Sequence, residues 1–162
     1  MSELDFSMAL EKTNEEFEYS CSIAPSINPD AFAPHQILGS LSLHIKYFVD
    51  YDGLLHLKGH LIVPCRFQCD RCLGGFEKNL FLDFEEEVAP APNDEYEFTY
   101  RMPRLKLDDV IETYLLTNFP SKILCKEDCK GLCPKCGENL NDRDCKCDTY
   151  SSNQGTRLGG RK

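Results

Sequence analysis

The sequence has no apolar run near the roughly 18 residues that a membrane-spanning helix needs, which argues against a membrane span. It also has no positively charged N-terminal region, because residues 1–5 contain two carboxylates and no basic side chain. This argues against a secretory signal or a transit peptide. We therefore expect a cytoplasmic protein with no membrane partner.

Positive charge is scarce in most of the chain, which has 162 residues and a net charge of -9. Residues 1–120 carry 9 basic and 21 acidic side chains, a net charge of -12. Residues 121–162 carry 9 basic and 6 acidic side chains, a net charge of +3. An acidic body repels nucleic acid, so any contact with RNA must be local.

Two segments in which apolar and polar residues alternate predict a β-hairpin. Their apolar residues are Leu41, Leu43, Ile45, Tyr47 and Val49, then Leu55, Leu57, Gly59, Leu61 and Val63. If both sets share a face, Tyr47 lies opposite Leu55 and Ile45 opposite Leu57. The odd-length loop that this register needs suits a left-handed Gly53.

Further elements follow along the body. We expect a third strand over residues 76–84, an exposed acidic loop over residues 83–97 and a short fourth strand over residues 96–100. Apolar residues then recur at helical spacing, at Leu107, Val110, Ile111, Tyr114 and Leu115. Asp108 or Asp109 is suited to cap this helix, and Pro120 ends it.

The fold class that these patterns predict is α+β, with a small antiparallel β-sheet or meander, one packed helix and a C-terminal cysteine-rich zinc module. We expect an N-terminal arm over residues 1–36 and a body over residues 37–120. The zinc-binding module is predicted over residues 121–148, and a flexible basic tail over residues 149–162.

Ten cysteines are present, and a reducing cytosol favours thiols that bind metal over disulfides. The stretch from Cys133 to Gly137 has the sequence of a zinc knuckle: two cysteines three residues apart, Pro134 to preset the turn and Gly137 to let backbone amides approach the sulfurs. The C-terminal residues between the cysteines are too polar to form a core, so a metal ion is the expected organiser.

Four close pairs of cysteines predict one or two zinc ions. The pairs are Cys69 and Cys72, Cys125 and Cys129, Cys133 and Cys136, and Cys145 and Cys147. The favoured grouping joins the last two pairs in one site and the first two in another, which docks the tail on the body. Two alternatives stay open: the first pair with the third, or the second with the third. Cys21 and Cys65 are interpreted as ordinary thiols.

The histidines and lysines of the hairpin form no catalytic set. In the register above, His44, His56 and His60 lie on the polar face with Lys46 and Lys58. A solvated face is the simpler interpretation, and a local RNA-contacting patch is the sharper hypothesis. Zinc sites closed by four sulfurs leave no position for a substrate, so we expect no enzymatic activity and no small-molecule substrate.

The chain resembles the YceD-like family of large ribosomal RNA subunit accumulation proteins. The likeness rests on three features: the turn from Cys69 to Leu73 followed by Phe76, the helix that opens at Leu107, and the cysteine-rich run over residues 124–147. The run is highly specific and the turn moderately so. After Asp148 this chain departs from the family's pattern.

The resemblance implies a non-enzymatic cytosolic factor that supports the accumulation of 23S ribosomal RNA and the biogenesis of the large subunit. Its partners would be large-subunit RNA, assembly precursors or a ribosomal protein. A zinc-dependent redox-switched chaperone is the alternative, since closely spaced thiolates can release zinc on oxidation. A metal-dependent RNA hydrolase is a third hypothesis, against which the closed sulfur sites argue.

Overall fold

A computed structural model describes residues 2–24 and 29–147 of the chain. The elements in chain order are β1 (Glu3–Asp5), α1 (Ser7–Glu11), β2 (Phe17–Ile23), β3 (Gln36–Ile37), β4 (Leu41–Val49), β5 (Leu55–Gln68), β6 (Gly75–Pro90), β7 (Phe98–Tyr100), β8 (Arg104–Lys106) and α2 (Leu107–Asn118). A 3₁₀ turn over Pro29–Phe32 precedes β3. The predicted tail over residues 149–162 lies outside the described residues.

Six strands form one sheet, in the order β2-β4-β5-β6-β7, with β3 paired to the far end of β5. Strands β1 and β8 form a separate antiparallel ribbon. With few helices and a cysteine-rich C-terminal part, the structure confirms the predicted α+β fold class. No helix within the described residues is both long and apolar enough to cross a membrane.

The predicted hairpin is present as β4 and β5, but its register differs by two residues from the predicted one. Val49 lies opposite Leu55 and Tyr47 opposite Leu57, whereas the sequence pattern placed Tyr47 opposite Leu55. Because the difference is even, the same side chains still face the core.

Asp50 explains the tighter hairpin loop. Its carboxylate accepts hydrogen bonds from the backbone N–H groups of Asp52 and Leu54, at 3.0 and 2.9 Å. Its own backbone N–H donates to the carbonyl of Leu54 at 3.0 Å. These bonds close a loop of residues 50–54, in which Gly53 has the predicted left-handed φ of 82°.

Strand β6 is longer than the predicted third strand, so the expected exposed loop over residues 83–97 is wrong for residues 83–90. Strand β6 pairs with β5 from Gly75 to Val88. Three of the four carboxylates in this part of β6 occur at alternate positions and lie opposite lysine or histidine side chains of β5, as the pairs Asp83–His60, Glu85–Lys58 and Glu87–His56. Facing side chains that bond to one another support a strand where composition alone indicated a loop.

The short fourth strand, β7, departs from the predicted antiparallel arrangement. It runs parallel to β6, with Val88 opposite Phe98 and Pro90 opposite Tyr100. The chain between them turns back far enough for Ala91 to donate its N–H to the carbonyl of Tyr100 at 2.7 Å. The sheet is therefore mixed at this edge.

Residues within the predicted N-terminal arm contribute to the sheet and the core. Strand β2 pairs with β4 along its whole length, and β1 pairs with β8. The side chains of Leu4, Phe6, Ala9 and Ile23 are buried in the same core as those of β4 and β5.

Helix α2 occupies the predicted position and ends before Pro120. It buries Leu107, Val110, Ile111 and Leu115, four of the five residues that the sequence pattern singled out. The predicted aspartate cap is wrong, because the first turn has no side-chain cap. Asp108 instead accepts a hydrogen bond from the backbone N–H of Ser2 at 3.1 Å, which ties the N-terminus to this helix.

Candidate metal centres

Two clusters of four cysteines lie at the end of the molecule where β5 turns into β6. The first, here called the junction cluster, contains Cys69, Cys72, Cys125 and Cys129; the second, the knuckle cluster, contains Cys133, Cys136, Cys145 and Cys147. Within each cluster the four sulfur atoms lie within 4.8 Å of one another. Each cluster could hold a metal ion.

The spacing of the sulfur atoms in the junction cluster fits a tetrahedral metal ion. The Sγ atoms of Cys69 and Cys129 are 3.7 Å apart, and those of Cys72 and Cys125 are 3.8 Å apart. Metal–sulfur bonds of about 2.3 Å give a tetrahedron whose edges are about 3.8 Å long. All ten cysteines are free, so no disulfide accounts for these approaches.

Asp70 fastens the turn between β5 and β6 to the C-terminal segment. Its carboxylate accepts a hydrogen bond from the backbone N–H of Ile123 at 2.6 Å. Its backbone N–H donates to the carbonyl of the same residue at 2.9 Å. This reciprocal pair places residue 123 beside the turn, two residues before Cys125, and so positions that cysteine.

Arg71 makes a second connection between the turn and the C-terminal segment. Its guanidinium donates to the carbonyl of Cys129 at 3.1 Å. The backbone of Gly131 lies against the backbone of Arg71. A Cβ at position 131 would lie 3.1 Å from the carbonyl oxygen of Arg71, and the φ of Gly131 is +75°. Glycine therefore lets the two backbones approach.

The knuckle cluster is built within a short stretch of chain and is more exposed. Cys133 is buried, Cys136 is exposed, and Cys145 and Cys147 are half-buried. Support from the rest of the segment is local, through an isolated bridge between Leu132 and Asn139. The four sulfurs close a loop that has no apolar core of its own.

The turns at Cys69 and Cys133 have the same hydrogen-bond pattern. The N–H of Cys69 donates to the carbonyl five residues later, and its carbonyl accepts from the N–H four residues later, at 2.9 Å each. Cys133 makes the same two bonds, at 2.8 and 2.9 Å. The residue after the second cysteine is left-handed in both, with φ 56° at Leu73 and 74° at Gly137. The turn at Cys69 in the body therefore has the same backbone geometry as the turn at Cys133.

Backbone N–H groups stabilise the thiolate form of one cysteine in each cluster. Burial raises the pKa of the Cys69 thiol, but surrounding backbone N–H groups outweigh it and lower that pKa to about 6. Backbone N–H groups lower the pKa of Cys133 to about 6 as well. Burial and neighbouring sulfurs raise the pKa of Cys125 to about 12, and a neighbouring sulfur and burial do the same for Cys147. All four cysteines of a cluster can therefore be thiolates together only when a cation lies among them.

The structure brings together all eight of the cysteines proposed as ligands, in the grouping that the sequence analysis favoured. The two alternative groupings, which joined the third pair to the first or to the second, do not occur. Cys21 and Cys65 lie outside both clusters. Cys65 is buried, which raises the pKa of its thiol to about 11. The role of the eight cysteines as ligands stays a prediction.

The sequence analysis missed the residues that support the sulfurs. Asn141 donates from Nδ2 to Sγ of Cys129 at 3.4 Å, and its Oδ1 accepts from the backbone N–H of Lys130 at 2.9 Å. Asp70 and Arg71 lie between the first two cysteines, so their position was the available signal. Asn141 lies four residues before Cys145 and carried no comparable signal.

The polar face of the sheet presents paired rather than free cations. Lys46 bonds to Glu16 and Glu18, and Lys58 pairs with Glu85. The imidazoles of His56 and His60 also bond to carboxylates, as the pairs His56–Asp50, His56–Glu87 and His60–Asp83, whereas His44 bonds to the hydroxyl of Ser20 at 2.7 Å. This pairing argues against the hypothesis of an RNA-contacting patch on this face, because both lysines and two of the three histidines already face a carboxylate.

A family model described as "Large ribosomal RNA subunit accumulation protein YceD" matches residues 57–158. The chain belongs to the YceD family. The match spans most of β5, all of β6 and all eight clustered cysteines. The YceD description links the family to the accumulation of large-subunit ribosomal RNA and describes an accumulation factor. Comparisons with curated proteins and with solved structures found no match.

Proposed function

We propose that the protein is a non-enzymatic factor that supports the accumulation of 23S ribosomal RNA and the biogenesis of the large ribosomal subunit. The observation that carries this proposal is the YceD match over residues 57–158, which includes both cysteine clusters. A structural role agrees with the ligand sets, since four protein sulfurs complete a tetrahedral zinc ion and leave no open position for chemistry.

Two zinc ions would hold the C-terminal segment together and fasten it to the body. The junction cluster would bind one ion and the knuckle cluster the other, because thiolate sets suit zinc. Zinc would neutralise thiolates that otherwise repel one another. In this proposal residues 37–120 form the body, residues 121–148 form the zinc-binding module, and residues 1–36 and 149–162 flank them.

The proposed partners are large-subunit ribosomal RNA, its assembly precursors or a ribosomal protein. Residues 1–120 carry a net charge of -12, and the lysines on the polar face of the sheet are paired with carboxylates. The body therefore suits a basic protein, whereas an RNA contact belongs at the C-terminal end of the chain. The proposed location is the cytoplasm, with no small-molecule substrate.

Gradient sedimentation of cell lysates tests this function. We expect the protein to migrate with large-subunit precursors, and we expect its deletion to lower the ratio of 23S to 16S ribosomal RNA. Complementation with Cys69→Ser should fail to restore the ratio, while Cys21→Ser, which changes a thiol outside both clusters, should restore it. A protein that stays at the top of the gradient, together with unchanged 23S levels after deletion, contradicts the proposal.

The second candidate is the zinc-dependent redox-switched chaperone, which the exposed sulfur of Cys136 favours. An exposed thiolate in a zinc site is open to peroxide. Peroxide treatment of the zinc-loaded protein should then release zinc and generate holdase activity towards an unfolded client. Zinc release without holdase activity rejects this candidate and leaves the first proposal intact.

A further inference from the structure

Most of the outer edge of β6 has no strand partner. Strand β7 pairs with β6 only from Val88 to Pro90. Within the part of the chain that the structure describes, no other backbone segment pairs with the outer edge of residues 76–82. A free edge of this length can accept a strand from another chain.

The outward backbone groups in this stretch belong to odd-numbered residues. The carbonyl of Asp83 points away from β5, because it accepts a hydrogen bond from the hydroxyl of Tyr114 at 2.6 Å. Backbone groups alternate in direction along an antiparallel strand. The N–H and C=O groups of Glu77, Asn79 and Phe81 therefore also point outward, where they are available to an added strand.

An apolar groove of about 280 Å³ runs beside this edge on the core side of the sheet. The edge strand forms one side of the groove and the segment after α2 the other; the apolar lining includes Phe67, Phe76, Leu80, Pro120, Ile123 and Leu124. Alternate side chains of an added strand would point into this groove. An added strand could therefore form backbone hydrogen bonds with the edge of β6 and apolar contacts with the groove at the same time.

Two lysines at the rim of the groove lack acidic partners. Lys78 and Lys122 line it, and among the described residues neither forms an ion pair. Lys46, Lys58 and Arg66, by contrast, each bond to a carboxylate on the sheet. A ligand that carries a carboxylate would complement the two unpaired cations.

We propose that the β6 edge and its groove bind an extended segment of a partner protein by strand addition. Apolar side chains of that segment fill the groove, and a carboxylate between them meets Lys78 and Lys122. Residues 148–162 of the chain have the wrong chemistry for this site, since they contain three cations, one carboxylate and one aliphatic side chain. The proposal concerns a protein contact and does not rest on the ribosomal role.

A synthetic peptide tests the proposal on the zinc-loaded full chain. The probe is the peptide Thr-Leu-Thr-Glu-Thr-Leu-Thr-amide with fluorescein on its N-terminus, and its alternate positions carry the two leucines and the glutamate. We expect saturable binding by fluorescence anisotropy, and amide chemical-shift changes confined to residues 76–82 and 120–124. Replacing the glutamate by lysine should weaken binding about tenfold, as should N-methylation of the amides that face β6.

Variants of the protein separate the two contributions. The double substitution Lys78→Glu and Lys122→Glu changes exposed side chains only, and it should weaken binding at least about tenfold while leaving the melting temperature unchanged. Asn79→Pro removes an outward N–H and should also weaken binding. Ser22→Pro on β2, the opposite edge of the sheet, is the matched control and should bind like the parent protein.

Four outcomes would overturn the proposal. The first is that the peptide causes no shift at residues 76–82, and the second is that the lysine peptide binds equally well. The third is displacement of the peptide by a uridine oligonucleotide, which would make the groove a nucleic-acid site. The fourth is sedimentation velocity that shows dimers which Asn79→Pro dissociates, since the edge would then be an interface between two copies of this chain.

Discussion

The two cysteine clusters differ in how far apart along the chain their members lie. The junction cluster joins Cys72 to Cys125 and Cys69 to Cys129, across more than fifty residues, and most of its sulfurs are buried. The knuckle cluster uses only residues 133–147, and Cys136 is exposed. A metal ion in the junction cluster would therefore tie the C-terminal segment to the sheet, whereas one in the knuckle cluster would order only a loop.

The two clusters therefore have different structural roles, although cysteines of both occur in the single cysteine-rich run of the sequence. The junction cluster is supported by Asp70, Arg71 and Gly131, which are already in place around the sulfurs. The knuckle cluster is supported by its own turn and by hydrogen bonds from its loop to residues 129–131, such as that from Asn141 to Cys129. We expect changes at the junction to reach the body, and changes at the knuckle to stay local.

The largest contrast should appear between Cys69→Ser and Cys136→Ser. Cys69→Ser should lower the free energy of unfolding by about 3–5 kcal/mol. The cation loses one of its four ligands, and the remaining buried thiolates are then left without a tightly bound positive charge. Cys136→Ser should change it by about 0.5 kcal/mol or less, because the body does not depend on that loop. Urea unfolding followed by circular dichroism, with Cys21→Ser as control, measures both. Equal losses in the two variants would remove the distinction between the clusters.

Zinc removal should proceed in two steps. Peroxide or a chelator should release the first equivalent from the knuckle cluster, because its sulfurs are more accessible. Zinc release measured with a chromogenic chelator, combined with mass spectrometry of alkylated peptides, identifies the cysteines freed at each step. Hydrogen exchange should rise over residues 133–147 first and over residues 69–73 later. Simultaneous loss of both equivalents would show that the clusters are coupled.

Asp70 gives a smaller and sharper test of the junction. Asp70→Ala leaves the backbone N–H of Ile123 without its acceptor, and it should cost about 1–2 kcal/mol of stability. Asp70→Asn keeps an acceptor oxygen and should cost less than half as much. Thermal unfolding gives the stabilities, and hydrogen exchange at residue 123 should rise only in the alanine variant. An alanine variant as stable as the parent would show that the sulfurs alone hold the junction.

The smallest expected effect concerns the residue after each knuckle. Leu73 is left-handed at a position where Gly137 stands in the second turn. Leu73→Gly should stabilise the protein by about 0.5–1 kcal/mol, because glycine adopts the left-handed conformation without the steric strain that leucine has there. The greater entropy of glycine in the unfolded chain offsets part of this gain. Gly137→Leu should shift stability the other way by a similar amount but only within the loop, since space around a Cβ there is open. Thermal unfolding and local hydrogen exchange measure the two.

Local patterns were enough to predict the elements of the body. Alternation at Leu41–Val49 and helical spacing from Leu107 to Leu115 each located an element. The length of β6 was hidden, because carboxylates at residues 83–87 indicated a loop until their partners on β5 were known. The hairpin register was also two residues off, since alternation fixes only which face a side chain occupies.

For the cysteines too, the sequence predicted the local turn but did not determine which distant pairs come together. Spacing alone determined that Cys133 and Cys136 form a knuckle, because a short turn is the chain's own geometry. The joining of Cys69 and Cys72 with Cys125 and Cys129 was one of three open groupings, and only the packed structure selected it. The reason is physical: the sheet and the hydrogen bonds of Asp70 with Ile123 set which pairs meet, and these contacts arise between segments far apart in sequence.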